Sequence, residues 1–329
     1  MSAAALPDVL GGLRVVHLPM RVRFRGITVR EVALFEGPSG WGEFGAFPEY
    51  GPEESARWLG CALEAAYAAW PAPVRDAVPI NATLPAVGPD DVPGILHRFE
   101  GTATVKVKVA DPTQTLSDDV DRIAAVRANL GPDVKVRIDA NGAWTVAQAM
   151  EALGRMAPYG LEYAEQPCAT VEELRDLRIA LARRGVDVPI AADESIRRAD
   201  DPLRVRHLDA ADLIVVKVAP LGGVESALGI VEACGLPAVV SSALDSSVGI
   251  SAGIALAAAL PSLEHACGLG TVGLFDGDVV SDRLRPVGGV IRPRRVVPDE
   301  PLLDRFAAPP DRLDWWRDRV TSCWPFLSR

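Results

Sequence analysis

The chain has 329 residues, 49% of them hydrophobic and only 6% aromatic, with a formal charge of −10. That length can bury a barrel plus a smaller domain, and the composition suits a helix-rich α/β enzyme rather than a disordered or fibrous chain. Its acidity argues against nucleic acid or an anionic membrane as partner and leaves a small molecule.

Cys61, Cys168, Cys234, Cys267 and Cys323 are scattered with no Cys-x-x-Cys pair. Neither a zinc site nor a disulfide framework is expected. No basic segment followed by an apolar run opens the sequence, and residues 248–260 are too short and too rich in small residues for a membrane span. A cytoplasmic location is therefore the expectation. Asn81-Ala-Thr83 matches a glycosylation sequon, but without a secretory signal it reads as coincidence.

Residues 13–45 have strand composition, with a turn at Gly37-Pro-Ser-Gly40. Residues 52–70 read as a helix, with Pro52 and two glutamates at its start. This is a small α+β domain, and the Pro-containing stretch 70–76 reads as a linker. From residue 78 strands and helices alternate. Strands are expected at 78–84, 103–109, 134–139, 161–165, 188–193, 212–218, 237–242 and 264–269, with helices at 118–129, 146–156, 171–184, 223–234 and 247–260. Eight strands joined by long crossovers make a closed parallel barrel. Residues 286–329 lose this rhythm and are expected to return to the first domain, with Trp315-Trp316 as packing and Arg292-Pro-Arg-Arg295 as a surface patch. The division reads as a cap over 1–75, a barrel over 76–285 and a returning segment over 286–329.

Three acids end hydrophobic runs at nearly even spacing. Asp139, Glu165 and Asp193 stand 26 and 28 residues apart, about one strand, one helix and their loops each. Neighbouring parallel strands deliver such ends to one face. Three carboxylates around one point repel unless a cation holds them, and hard oxygen donors suit Mg²⁺, with Mn²⁺ as a substitute. Lys106 and Lys108 share a strand face because side chains alternate with period two, and Lys217 follows Asp193 by 24 residues. Amines flanking a metal are suited to taking a proton from carbon next to a carboxylate. Glu194 is a second-choice ligand beside Asp193.

Lys106-Val-Lys108, Asp139-Ala-Asn141, Glu165-Gln-Pro167, Asp193-Glu-Ser195 and Lys217 together resemble the enolase superfamily, in its muconate-lactonising-enzyme subgroup, over nearly the whole chain. Phe24-Arg-Gly-Ile-Thr28, Gly42-Glu-Phe-Gly-Ala-Phe-Pro48, Arg137, and Val240-Ser-Ser-Ala-Leu-Asp-Ser-Ser-Val248 are similar to the o-succinylbenzoate synthase family within it. The resemblance implies an α/β fold: an enolase-like (β/α)7β-type TIM barrel with an α+β capping domain. It implies a metal-dependent carbon–oxygen lyase of menaquinone biosynthesis that dehydrates a cyclohexadiene carboxylate through an ene-diolate. Asp139, Glu165 and Asp193 would hold the metal. Lys108 would remove the α-proton beside Lys106, and Lys217 would stabilise the intermediate from across the barrel.

Substrate contacts are expected from Asn141, which could also orient a lysine or a metal-bound water, and from Ser241, Ser242 and the backbone at Gly268, for which ordinary turn chemistry is the competing reading. Arg137 pairs either with a substrate carboxylate or with an acidic neighbour. Arg25 and Glu43 could close over the substrate, with exposed loop charges as the plainer reading. His265 reads as a core or rim histidine, and Gly222-Gly223 as a helix start rather than a phosphate site. The same scaffold serves N-succinylamino acid racemases and dipeptide epimerases, although Cys267-Gly-Leu-Gly270 lacks the acidic strand-eight motif of the latter. A non-catalytic barrel would have lost an acid or a lysine, and a barrel aldolase would need a Schiff-base lysine with a glycine-rich phosphate site. The sequence leaves the oligomeric state open.

Overall fold

The computed structural model describes residues 4–24, 26–99, 101–198 and 201–327. Its first layer is an antiparallel sheet of β1 (Arg14–Phe24), β2 (Ile27–Gly37) and β3 (Gly40–Phe44). The hairpin between β2 and β3 closes with Gly37 opposite Gly40, whose φ of +137° favours glycine. Helix Pro52–Tyr67 packs on this sheet so closely that a Cβ at Gly42 would stand 2.1 Å from the Ala62 carbonyl oxygen.

The barrel follows. After β4 (Val78–Pro79) come β5 (Ala82–Leu84), β6 (Thr104–Lys108), β7 (Lys135–Asp139), β8 (Leu161–Glu165), β9 (Ile190–Ala192), β10 (Leu213–Lys217) and β11 (Ala238–Ser241), and β12 (Val290–Ile291) returns to pair with β4. The run from β5 to β11 is a seven-stranded parallel sheet in chain order. The expected eighth strand contributes only Cys267 and Gly268, which bridge in parallel to Ile80 on one side and Ser241 on the other, completing the ring. The expected strand at 78–84 is split at Ile80-Asn81, where the backbone turns to meet Cys267.

Local chemistry sets the helices. Thr115, Thr145 and Thr170 each cap a helix in a reciprocal capping box, with Asp118, Gln148 and Glu173 three residues on. Gly185 and Gly235, both left-handed, stop the helices they follow. Between β9 and β10 the described residues form two four-residue helices, Glu194–Arg197 and Arg204–His207. Periodicity cannot reveal elements that short. Tyr163, Ala191, Leu213, Val215 and Val239 form a buried cluster of their own, two or four residues before the strand-end polar groups and so on the inward face.

Helix Pro310–Cys323 packs against the first sheet and helix Pro52–Tyr67. Trp316 meets Phe44 edge-on at 5.2 Å, its indole donates to Glu31 at 2.6 Å, and Arg319 donates to the Phe47 and Tyr50 carbonyls. Arg295 departs from the expected surface patch. It stacks 3.7 Å over the Trp70 ring and donates to the carbonyls of Ala65 and Ala68. Asn81 is 1% exposed, which removes it as a glycosylation site. Among the described residues no helix is long and apolar enough to cross a membrane.

Candidate active site

Lys108, Asp139, Glu165, Lys217 and Ser241 are each the last residue of their strand, and Asp193 follows β9 directly. Register aligns them. Lys108 lies opposite Asp139, Asp139 opposite Glu165, and Lys217 opposite Ser241. Parallel pairing thus turns even spacing in the chain into one ring of charges at the C-terminal face of the barrel, where barrel enzymes place their chemistry.

Ammonium groups interleave with carboxylates around this ring. Lys106 Nζ lies 2.9 Å from Glu165 Oε1 and 3.2 Å from Asp139 Oδ2, bridging the two acids. Lys108 Nζ donates to Asp139 Oδ2 and, at 2.8 Å, to Asn141 Oδ1. Lys217 donates to Asp193 Oδ2, while Arg197 Nε holds the other Asp193 oxygen at 3.1 Å. The Gln166 side chain fixes the backbone here. Its Oε1 accepts from the nitrogens of Asp193 at 2.9 Å and Ser195 at 3.2 Å, and its Nε2 donates to Ser195 Oγ. Glu194 turns aside to accept from Arg197 and from Asn141 Nδ2 at 3.3 Å.

The electrostatics follow from that weave. Burial and the neighbouring Asp139 charge push Glu165 up to about 7, against the pull of Lys106. Burial also opposes charge at Asp193, but Lys217 and Arg197 outweigh it and hold that carboxyl at about 2. Asp139 is likewise held well below the usual carboxylate range by Lys108 and Lys106 despite burial. Burial draws Lys217 below the ordinary lysine value, with the Asp193 charge opposing.

These residues fit a divalent cation by donor chemistry. Three buried carboxylates on adjacent strands repel one another, and Lys106 already places a positive charge between two of them. Among the described residues, no three acidic, histidine or cysteine side chains stand as a ready-made metal cluster. The ammonium groups draw the carboxylate oxygens toward themselves.

Beside the ring lies a cavity of about 30 Å³ lined by Thr83, Lys106, Lys108, Asp139, Asn141, Lys217, the stretch 241–244, Gly268 and Thr271. Lys108 and Asn141 also line a recess of about 580 Å³ walled by Pro85, Ala86, Ala110 and Pro112. Ser241, Ser242 and Gly268 all line this cavity. The Ser242 hydroxyl donates to the Gly268 carbonyl at 2.8 Å and meets Thr271 Oγ1 at 2.9 Å. Thr83 and Thr271 were not read from the sequence. The signal at Thr83 was its place at the end of the first barrel strand.

Two expectations are corrected. Arg137 does not line the cavity and takes the second of its readings. It is fully buried, donates to Glu162 Oε2 at 2.9 Å and the Ala266 carbonyl at 2.8 Å, and lies 4.5 Å over the Tyr163 ring. Glu43 is no exposed loop charge. At 6% exposure it accepts from the backbone nitrogens of Ser246 and Gly249 at the start of helix Ser247–Ala259. Arg25 lies outside the described residues. His265 pairs with Glu162 at 2.9 Å, consistent with a core role, and Gly223 is the cap residue of helix Val224–Cys234.

The family described as "Enolase C-terminal domain-like" matches residues 96–301, and "Enolase N-terminal domain-like" matches residues 15–66. The chain belongs to the enolase superfamily. It is 58% identical to the o-succinylbenzoate synthase of Mycobacterium marinum over 327 residues, 99% of this chain and 97% of the relative. It is 60% identical to the o-succinylbenzoate synthase of Mycolicibacterium smegmatis, covering 97% of each chain. In fold it is similar to the muconate lactonizing enzyme of Pseudomonas putida, with a TM-score of 0.74 at 20% identity over 90% of this chain and 98% of that one. The N-succinyl Arg/Lys racemase of Bacillus cereus aligns with a TM-score of 0.73 at 19% identity, covering 90% and 96%.

Proposed function

We propose that this chain is an o-succinylbenzoate synthase. It removes water from 2-succinyl-6-hydroxy-2,4-cyclohexadiene-1-carboxylate to give 2-succinylbenzoate, in the cytoplasm, as a step toward menaquinone. The observation that carries the reading is identity of 58–60% to synthases over 97–99% of the chain. The interleaved ring of lysines and carboxylates supports it.

Lys108 is the base. Its amine takes the α-proton, the electron pair of that C–H bond moves into the ring, and the C–O bond to the hydroxyl breaks. The resulting Lys108 ammonium returns its proton to the departing hydroxyl on the same face, so water leaves and the ring becomes aromatic. Lys217, across the barrel, sets a cation near the ring face. Lys106 holds Glu165 and Asp139 in place between the two. Asp139, Glu165 and Asp193 would hold Mg²⁺ or Mn²⁺, which supplies fixed positive charge where the substrate carboxylate gains electron density. Asn141 orients the Lys108 amine, and Ser241, Ser242 and the Gly268 backbone meet the succinyl arm. The cap over 1–75, barrel over 76–285 and returning segment over 286–329 act as one unit around this site.

A second reading, N-succinylamino acid racemisation, draws on Lys108 and Lys217 standing at the ends of β6 and β10, on different sides of the carboxylates. The test is an ultraviolet assay of the purified chain with Mg²⁺ and the diene carboxylate. EDTA-sensitive loss of the diene, absent in Lys108→Ala, is the expected result. A diene that survives, with racemisation of N-succinyl amino acids instead, moves the assignment to the second reading.

A further inference from the structure

The backbone flanking Lys108 is gripped from outside the barrel by a buried ion pair. Asp119 and Arg122 lie one turn apart on helix Leu116–Leu130, exposed by only 2% and 0%, and pair at 2.8 Å. Such a pair is costly to bury, and the helix start is already satisfied by the Thr115–Asp118 capping box. Its bonds go instead to the loops at the mouth of the site. Arg122 Nη1 donates to the Lys108 carbonyl at 2.8 Å, Nε to the Val87 carbonyl at 2.6 Å, and Nη2 to the Gln114 side chain. The second Asp119 oxygen accepts from the Ala110 nitrogen at 2.9 Å.

The chain between these two bonds is held in an unusual shape. Ala110 has φ +60°, a left-handed conformation that a residue with a Cβ seldom adopts unless its surroundings impose it. In between, the Val109 nitrogen still continues the ladder to the Asp139 carbonyl at 3.1 Å. The strand end is therefore fixed on three successive residues: by Arg122 at 108, by Asp139 at 109 and by Asp119 at 110. The planar fork of Arg122 reaches the Val87 carbonyl, the Lys108 carbonyl and the Gln114 side chain from three separate nitrogens held in fixed directions, a spread wider than the single nitrogen of an ammonium covers.

We propose that the Asp119–Arg122 pair is the positioning device for the base. It sets the direction in which the Lys108 side chain leaves β6 and ties that direction, through Val87 and Gln114, to the wall of the adjoining recess. The inference rests on the reading of Lys108 as the base.

The test uses the full chain with Mg²⁺ in Arg122→Met, Arg122→Lys and Asp119→Asn, with turnover corrected for the folded fraction. A displacement of the base by about 1 Å costs on the order of 100-fold in rate. The expected result is a fall in kcat of that order in Arg122→Met with KM within about threefold, and partial recovery in Arg122→Lys. Equal kcat per folded molecule overturns the proposal. Should Arg122→Met fail to fold, Asp119→Asn, which keeps its shape, carries the same comparison. A crystal structure of Asp119→Asn decides the matter without substrate. The proposal expects Lys108 Nζ to leave its 2.8 Å contact with Asn141 Oδ1, and an unmoved amine overturns it. A wild-type chain that leaves the diene intact would remove the proposed function, while the crystal structure would still decide the positioning.

Discussion

Glu43 Oε1, in the cap, lies 3.1 Å from the backbone nitrogen of Ser246, in the barrel. The same carboxylate accepts from the Gly249 nitrogen and the Ser246 hydroxyl, so a cap side chain closes the first turn of helix Ser247–Ala259. Arg30 adds a second tie from the cap, donating to the Leu244 carbonyl at 3.0 Å. Leu244, the last residue of the stretch 241–244 that lines the cavity, is thus held by Arg30, and Ser246 two residues on by Glu43.

Replacing Glu43 by Leu leaves buried donors on Ser246 and Gly249 unmet, a cost of about 1–3 kcal/mol each. Because the loop they hold lines the cavity, KM is expected to rise more than kcat falls. Steady-state kinetics beside thermal unfolding check this. A stable variant with unchanged KM would show that the loop keeps its shape without the cap.

Lys108→Ala is expected to lose turnover by roughly 100- to 10,000-fold, the usual worth of a general base. Calorimetric titration should show Mg²⁺ binding retained, since the amine is no ligand. Full activity in this variant would remove Lys108 as the base.

Much of this site was legible because strand ends are where a sequence changes character. Asp139, Glu165 and Lys217 interrupt hydrophobic runs, and parallel pairing of neighbours converts that one-dimensional break into a three-dimensional ring. Glu43 and Arg137 were harder because nothing local marks their burial. The partner of Glu43 is 203 residues away, and Arg137 reaches the Ala266 carbonyl 129 residues on. The eighth strand was expected as a run of residues, yet it closes the ring through Cys267 and Gly268 alone. At Gly268 a Cβ would press within 2.6 Å of Ser241 Oγ, so backbone takes the place that side chains fill elsewhere.

Chelation should lower the melting temperature and Mg²⁺ restore it, because an ion that binds only the folded state stabilises by about 2.7 kcal/mol at a hundredfold excess over Kd. Glu165→Gln is expected to weaken that response. Calorimetric melts with EDTA and with graded Mg²⁺ measure it, and a chain whose melting ignores both would remove the three acids as ligands.

Arg137→Met tests the corrected reading of that residue. It leaves Glu162 charged among His265 and Lys135 alone, and breaking a buried pair from one side costs about 3–5 kcal/mol. KM should stay within about twofold, because Arg137 does not line the cavity. A large rise in KM with unchanged stability would return Arg137 to the substrate.

The pH dependence of stability offers a test at Glu43 that is separate from catalysis. Burial and the neighbouring Asp245 charge push this carboxyl up to about 8, against the Ser246 hydrogen bonds and Arg30. Its folded value thus lies above the ordinary 4.5, so the folded state binds the proton more tightly than the unfolded state does. The stabilisation is full below about 4.5 and drains away as pH rises through 8. Asp245, also raised, first by burial, acts in the same direction. Glu162 acts oppositely. Although burial raises it, hydrogen bonding to His265 and the Arg137 charge hold it at about 2, so its contribution is present above 4.5 and lost on acidification toward 2. Between pH 5 and 9 only the first effect is active of these two. The melting temperature of the wild type minus that of Glu43→Gln should therefore fall steadily across that window, since the amide does not titrate. A difference that stays flat would mean that Glu43 is charged in the folded chain throughout, with Arg30 and the helix start carrying its charge unaided.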